Sequence, residues 1–242
     1  MSELAIIGGT GALDLFPVLE EQAMETTWGE PSAPVARVAL DRTEAWFLAR
    51  HGRPHRIPPH RINYRANIDG LKRLGVRRII SINAVGGVDP SIAPGCLVVP
   101  DQLIDYTWGR PHTFSDDSES PLVHVEFANP FEGPVRQALL DAGELAGVPV
   151  LDGGCMAVIQ GPRLETAAEI ARLARDGCSM VGMTGMPETA LAREAGLDYA
   201  SLSVVANAAA GLEQEPITLK EIKRVLSSAM GDVRRLLDSL AF

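Results

Sequence analysis

The stretch SINAVGGVDPSIAPGCLVVPDQLID, residues 81–105, carries the reading of the fold. The apolar run RRIISIN (77–83) leads into it and stops at Asn83–Ala84, where a Gly–Gly turn begins. A second apolar run, CLVVPDQLI (96–104), follows a Pro- and Gly-rich connection. Further strand-like runs stand at LAII (4–7), AWFLA (45–49), CMAVIQ (155–160) and YASLSVVAN (199–207). Helical patterns lie between several of them: NYRANIDGLKRLG (63–75), PVRQALLDAGELAG (134–147), ETAAEIARLARDG (165–177), PETALAREAG (187–196) and a long amphipathic segment over 218–240. The second opens on a proline and closes on a glycine, as helix ends prefer. Strands alternating with helices predict an α/β sheet covered by helices on both faces. With no repeat, low-complexity linker or break in composition, residues 1–242 read as one domain. The least regular region, 107–133, has the length of a functional loop or a subunit contact.

The chain has 242 residues, 46% hydrophobic and 22% charged, enough for one substantial core. A net charge of −9 opposes general binding to nucleic acid or an anionic membrane, so any anion must find a local basic site. Three cysteines (Cys96, Cys155, Cys178) without a CxxC give neither a disulfide framework nor a zinc site. No segment approaches the roughly 20 apolar residues that span a bilayer, and the N-terminus lacks a signal-peptide pattern. The expected compartment is the cytoplasm.

Six stretches carry candidate chemistry. IIGGTG (6–11) runs a strand into glycines with Thr10, which suits a phosphate or simply a tight turn. The dinucleotide pattern GxGxxG fails there, because Asp14 holds the third glycine position. ARHGRPHRIPPHRINYR (49–65) concentrates five arginines and three of the five histidines in an acidic protein. Pro54 interrupts the His51–His55 spacing and no carboxylate adjoins it, so a metal site is not expected. The alternatives are a solvated basic loop and an anion site built on Arg50 and His51, since guanidinium forks match phosphate oxygens. Asn83 and Ala84 end a strand, where α/β sheets gather ligands. VIQGPRLETAAE puts Glu165 at a helix start, where it either serves the helix dipole or faces a ligand. VGMTGMPETA places Met183 and Thr184 before a helix, as core and N-cap residues or as site residues. Finally, SLSVVANAAAG (201–211) ends an apolar run on Asn207, which reads as a turn residue or as a donor/acceptor fork aimed at a planar ligand.

In order along the chain, IIGGTG, LARHGRPHRIPPHRINYRANI, INAVGGVDPSIAPGCLVVPDQLID, GPRLETAAE and GMTGMPETALAREAGLDYASL resemble the purine nucleoside phosphorylase superfamily, specifically its methylthioadenosine phosphorylase branch. The resemblance implies a mixed, partly barrel-like sheet flanked by helices, a homotrimer with pairing into hexamers left open, and reversible phosphorolysis of a purine nucleoside. Inorganic phosphate is then a co-substrate and no metal or redox cofactor is expected. By the same resemblance Thr10, Arg50, His51, Asn83, Ala84 and Thr184 bind phosphate, although Asn83 replaces the threonine usual in that branch. Met183 lies against the ribose, Asn207 acts on the departing base with Ala208 and Ala209 beside it, and His124 reaches a neighbouring subunit's 5′ pocket.

The resemblance also implies a substrate. Adenine-specific members carry aspartates where this chain has Asn207 and Ala209, and a serine where it has Glu165. A carboxamide can donate to O6, and a carboxylate can accept from N1–H, so both changes suit a 6-oxopurine. Adenine N1, an acceptor, would oppose Glu165 at a cost of roughly 1–3 kcal/mol. Leu219 stands where inosine-cleaving members carry a histidine for the 5′-hydroxyl; it is either plain helix core or a partner for a methylthio group. The expectation is cleavage of S-methyl-5′-thioinosine to hypoxanthine and 5-methylthioribose 1-phosphate. The alternatives are S-methyl-5′-thioadenosine and general 6-oxopurine nucleosides such as inosine and guanosine. Outside this class stand a nicotinamide-dependent dehydrogenase, opposed by Asp14, and a silent nucleoside-binding module, opposed by Arg50, His51 and Thr184.

Overall fold

The alternation of apolar strands and amphipathic helices is realised in a computed structural model that describes residues 2–12, 15–116, 121–213 and 217–242. Asp14 and residues 117–120 of the irregular 107–133 region lie outside the described residues. In chain order the strands are β1 (Leu4–Gly8), β2 (Val18–Gln22), β3 (Val35–Ala39), β4 (Glu44–Ala49), β5 (Arg78–Gly87), β6 (Leu97–Val99), β7 (Gln102–Asp105), β8 (Val150–Asp152), β9 (Cys155–Val158), β10 (Met180–Gly182) and β11 (Asp198–Ala208). The helices are α1 (Tyr64–Arg73), α2 (Pro134–Ala146), α3 (Ala167–Arg175), α4 (Glu188–Glu194) and α5 (Leu219–Asp238).

All strands join one mixed sheet with a main path β2-β3-β4-β1-β5-β10-β9-β7. The sheet forks at β5, which pairs in parallel with both β1 and β11 and then antiparallel with β10 through Gly86 and Gly87. The second branch continues from β11 to β6 and β8. Alternate residues of β1 separate the two main cores. Leu4 and Ile6 face α2 and α5 through Leu139, Leu226 and Val233, whereas Ala5 and Ile7 face α1 and α4 through Ile68, Leu71 and Leu191. This mixed sheet, flanked by helices on both faces, is the architecture expected from the sequence.

Four local readings change. The strand does not stop at Asn83–Ala84 before a Gly–Gly turn: β5 runs on to Gly87, with Gly86 and Gly87 paired to β10 and β11. The run 96–104 is two strands rather than one, because Pro100 has no N–H to give a ladder; β6 pairs β11 while β7 pairs β9. Asn207 does not follow the strand but lies within β11, beside an irregularity between Val205 and Asn207 that re-aims the chain. Glu165 stands before helix α3 rather than in its first turn. The N-cap is Thr166, which accepts from Glu169 N–H while the Glu169 carboxylate accepts from Thr166 N–H, a complete capping box.

Candidate active site

Parallel pairing of β1 with β4 and β5 brings Gly8, Ala49 and Ile82 into register, so the chain leaves β1 and β4 toward Thr10 and Arg50 at one edge of the sheet. There a cavity of about 520 Å³ opens. Thr10, Arg50, His51, Ala84 and Thr184 line it together, as do Met183, Glu165, Asn207 and Leu219. Residues from seven separate stretches of sequence thus meet in one chamber.

Arg50 is fully buried. Its Nε donates to Glu188 Oε2 at 2.8 Å, and its Nη2 donates to Glu188 Oε1 at 2.9 Å and to Ser81 Oγ at 2.5 Å. Nη1 donates to Ile82 O at 3.2 Å. A guanidinium has five N–H groups, so one Nη1 hydrogen is left for the cavity. Gly9 allows this placement, because a Cβ there would come within 3.0 Å of Nη1. Burial works against the charge, but attraction and hydrogen bonding to Glu188 outweigh it and hold Arg50 above its ordinary pKa. Burial likewise pushes the Glu188 carboxyl up, yet Arg50, Tyr199 and Ser81 bring it below its usual value. Both groups therefore stay ionised as a hydrogen-bonded pair.

His51 donates its Nδ1–H to Ile57 O at 2.8 Å, which makes Nε2 the acceptor of the neutral ring. Burial, then the charge of Arg50, lowers its pKa to about 4. The His51 and His55 rings stack with centroids 4.3 Å apart, so their faces meet rather than their nitrogens converging on an ion. Among the described residues no group of three or more His, Cys, Asp or Glu is arranged to hold a metal, and no helix is long and apolar enough to cross a membrane.

Asn83 departs from expectation. It is buried at 1% exposure and does not line the cavity. Its Nδ2 donates to Ser81 Oγ at 3.0 Å and Ser201 Oγ at 2.8 Å, and its Oδ1 accepts from Thr184 Oγ1 at 2.9 Å. Both amide hydrogens are committed, so Asn83 orients Thr184 instead of meeting an anion. Thr184 is in turn no N-cap; that place before α4 belongs to Pro187. Ala208 and Ala209 also lie off the cavity: Ala209 is buried against Val88, Ala157 and Val181, and its N–H donates to Gly87 O. His124 is exposed and outside this chain's cavity.

In the same chamber, Asn207 Nδ2 donates one hydrogen to Ala208 O at 2.7 Å, leaving the second hydrogen and Oδ1 uncommitted among the described residues. Glu165 is half-buried, and burial raises its pKa. Leu219 is not helix core: it is the first residue of α5 and 75% exposed, lining the cavity with Ile217 and Ile222. The basic loop divides its labour. His55 and Arg56 line the cavity, while Arg53 pairs with Glu21 and Arg65 with Asp116. The motif reading missed Glu188, Ser81 and Tyr199. The signal lay in GMPETA, one acid in a small-residue stretch, but only the burial of Arg50 demands a counterion.

A family model described as the phosphorylase superfamily matches residues 3–241. A probable S-methyl-5′-thioinosine phosphorylase of Xanthomonas campestris pv. campestris is 47% identical over 241 residues, covering 98% of this chain and 96% of that protein. The 6-oxopurine nucleoside phosphorylase of Pyrococcus furiosus is 42% identical over 244 residues, covering 98% and 91%. Among solved structures, methylthioadenosine phosphorylase from Schistosoma mansoni in complex with adenine superposes with a TM-score of 0.94 at 31% identity, covering 99% of this chain and 90% of that one.

Proposed function

The chain belongs to the phosphorylase superfamily, and from that premise we propose that it cleaves S-methyl-5′-thioinosine with inorganic phosphate to hypoxanthine and 5-methylthioribose 1-phosphate. The observation that carries this reading is one cavity shared by Arg50, Glu165, Asn207 and Leu219. Phosphate sits among the free Arg50 Nη1 hydrogen, Thr10, His51 and Thr184, with the main chain at Ala84 beside it. His51 Nε2 accepts from the hydroxyl of monoprotonated phosphate. Met183 packs against the ribose. As the glycosidic bond loosens, C1′ becomes oxocarbenium-like and charge flows into the purine. Holding the nucleophile in line and hydrogen-bonding the departing base supply the catalysis. The free Asn207 N–H donates to O6 or N7, and the Glu165 carboxylate accepts from N1–H. Leu219, Ile217 and Ile222 form an apolar rim for a methylthio group. Phosphate is the co-substrate, and no metal or redox cofactor takes part.

The enzyme acts in the cytoplasm as a homotrimer, in which His124 completes a neighbour's 5′ pocket. The identity to a Xanthomonas protein named for methylthioinosine supports the substrate choice, while the Pyrococcus and Schistosoma relatives support inosine-type and methylthioadenosine alternatives. Comparing kcat/KM for methylthioinosine, methylthioadenosine and inosine with phosphate present tests all three. A preference for methylthioadenosine removes the base assignment, and a preference for inosine removes the sugar assignment.

A further inference from the structure

Arg110 lies in the irregular segment after β7 and is buried at 4% exposure, yet none of its hydrogen bonds goes to a carboxylate. Its Nη2 donates to Ile159 O at 3.2 Å, Gln160 O at 2.9 Å and Met183 O at 3.1 Å. Its Nη1 donates to Met186 O at 2.5 Å and to Tyr64 OH at 3.3 Å. Tyr64 passes the tie on by donating to Pro59 O at 3.0 Å. Its Nε has no partner among the described residues, and burial lowers its pKa.

The carbonyls it gathers belong to two segments that run into the cavity lining. Ile159 and Gln160 follow β9 and begin the segment that continues to Pro162 and Glu165, which line the chamber. Met183 carries the wall that includes Thr184, and Met186 precedes the turn into α4 and Glu188. Pro59 lines the cavity as well. A buried cation whose hydrogen bonds all go to neutral acceptors, with the Asp105 carboxylate acting on it only through space, is an expensive way to join loops. Its planar fork reaches several carbonyls at once, which a lysine cannot do.

We propose that Arg110 is a positioning residue, resting on the functional reading above: it fixes the spacing between the base-reading wall and the sugar–phosphate wall. Phosphorolysis carries C1′ from the base on one wall to phosphate on the other, so the rate depends on that spacing more than either ligand's affinity does. A misplacement of about 1 Å costs on the order of 100-fold in rate.

The test is Arg110→Lys and Arg110→Met, with kcat measured beside equilibrium binding of phosphate alone and of hypoxanthine alone. The expected result is a kcat loss of about 100-fold in Arg110→Met and a smaller loss in Arg110→Lys, with each separate affinity nearly unchanged. If Arg110→Met does not fold, Arg110→Lys carries the same comparison; if neither folds, Arg110 is only structural and the proposal falls. Wild-type kcat in both variants, or a kcat loss matched by equal losses of both affinities, also overturns it. Wild-type protein measured alongside separates the two readings. No phosphate-dependent base release in the wild type refutes the functional reading itself, whereas wild-type activity retained by the variants refutes only the role of Arg110.

Discussion

Glu188→Gln removes the negative charge from the pair that holds Arg50, at almost constant volume. Glu188 Oε1 accepts from Arg50 Nη2, Tyr199 OH at 2.8 Å and Ser81 Oγ at 3.1 Å, while among the described residues Oε2 accepts only from Arg50 Nε. The least costly glutamine places its carbonyl at the crowded Oε1 position and its NH2 at Oε2. There the NH2 opposes Arg50 Nε–H, donor against donor, and the guanidinium stays buried without a counterion. Breaking a buried pair from one side costs about 3–5 kcal/mol. At about 2–4 °C per kcal/mol for a chain of this size, Tm falls by roughly 6–20 °C. The guanidinium then turns away from the single Nη1 hydrogen it offers to the cavity, so KM for phosphate rises more than KM for the nucleoside. Thermal unfolding with and without phosphate, together with phosphate-dependent base release, measures both effects. The double variant Arg50→Met/Glu188→Leu separates them: replacing both charges restores much of the stability but not phosphate binding. A Tm within about 2 °C of wild type for Glu188→Gln, with unchanged phosphate KM, refutes the reasoning.

Leu219→His should change stability by less than about 0.5 kcal/mol, because the side chain is exposed. It should raise kcat/KM for inosine by up to about 10-fold, the worth of one hydrogen bond; equal ratios of inosine to methylthioinosine turnover in both proteins remove Leu219 from the sugar site. Asn207→Asp with Glu165→Ser should move the 6-amino to 6-oxo preference by at least roughly 5- to 150-fold, the 1–3 kcal/mol worth of a single mismatched polar group, and an unmoved ratio puts base recognition elsewhere. For pH, the His51 pKa falls from 6.5 unfolded to about 4 folded, so the unfolded chain takes up the proton first as pH drops. Stability should therefore decline from pH 6.5 toward 4 on this account, and His51→Gln should show a shallower slope of Tm against pH above 4.5. Identical slopes count against the buried neutral ring. The Glu188 contribution has the other window: it is present above the ordinary carboxylate value and lost as pH falls through its lower folded value.

The five α-helices among the described residues were legible because each pairs an amphipathic stripe with an end signal, such as the Asn63, Thr166 and Thr218 caps of α1, α3 and α5. Strand β2 was not, since all five of its residues are exposed and VLEEQ has no apolar period. β8 and β10, three residues each, are too short to show one. Site residues on strand ends were legible as motifs, and the structure does bring Thr10, Arg50, His51, Thr184, Met183, Glu165, Asn207 and Leu219 to one cavity. The partners that aim them were not legible, because Glu188 and Arg110 become conspicuous only once burial makes their charges costly.

Asn83 shows that one such partner was within reach of a period-two argument. Along β5, Ser81 and Asn83 share a face with Ile79, while Ile80 and Ile82 point the other way. Along β11, Tyr199, Ser201 and Ser203 share a face, and the parallel register sets Ser201 beside Ser81 and Ser203 beside Asn83. Two neighbouring strands thus place polar residues on a face that is otherwise packed with Met156, Met180 and Val205. Such residues must satisfy one another or a buried charge, and here they do both, through Glu188. The side chain of Asn83 is therefore committed by strand parity to the sheet's interior, while the chain at Ala84 meets the cavity. The amide of Asn83 answers to Ser81 of β5, to Ser201 of β11 and to the hydroxyl of Thr184. Its two donated hydrogens anchor it to both strands, and its remaining oxygen accepts from Thr184 and so fixes that side chain at the cavity.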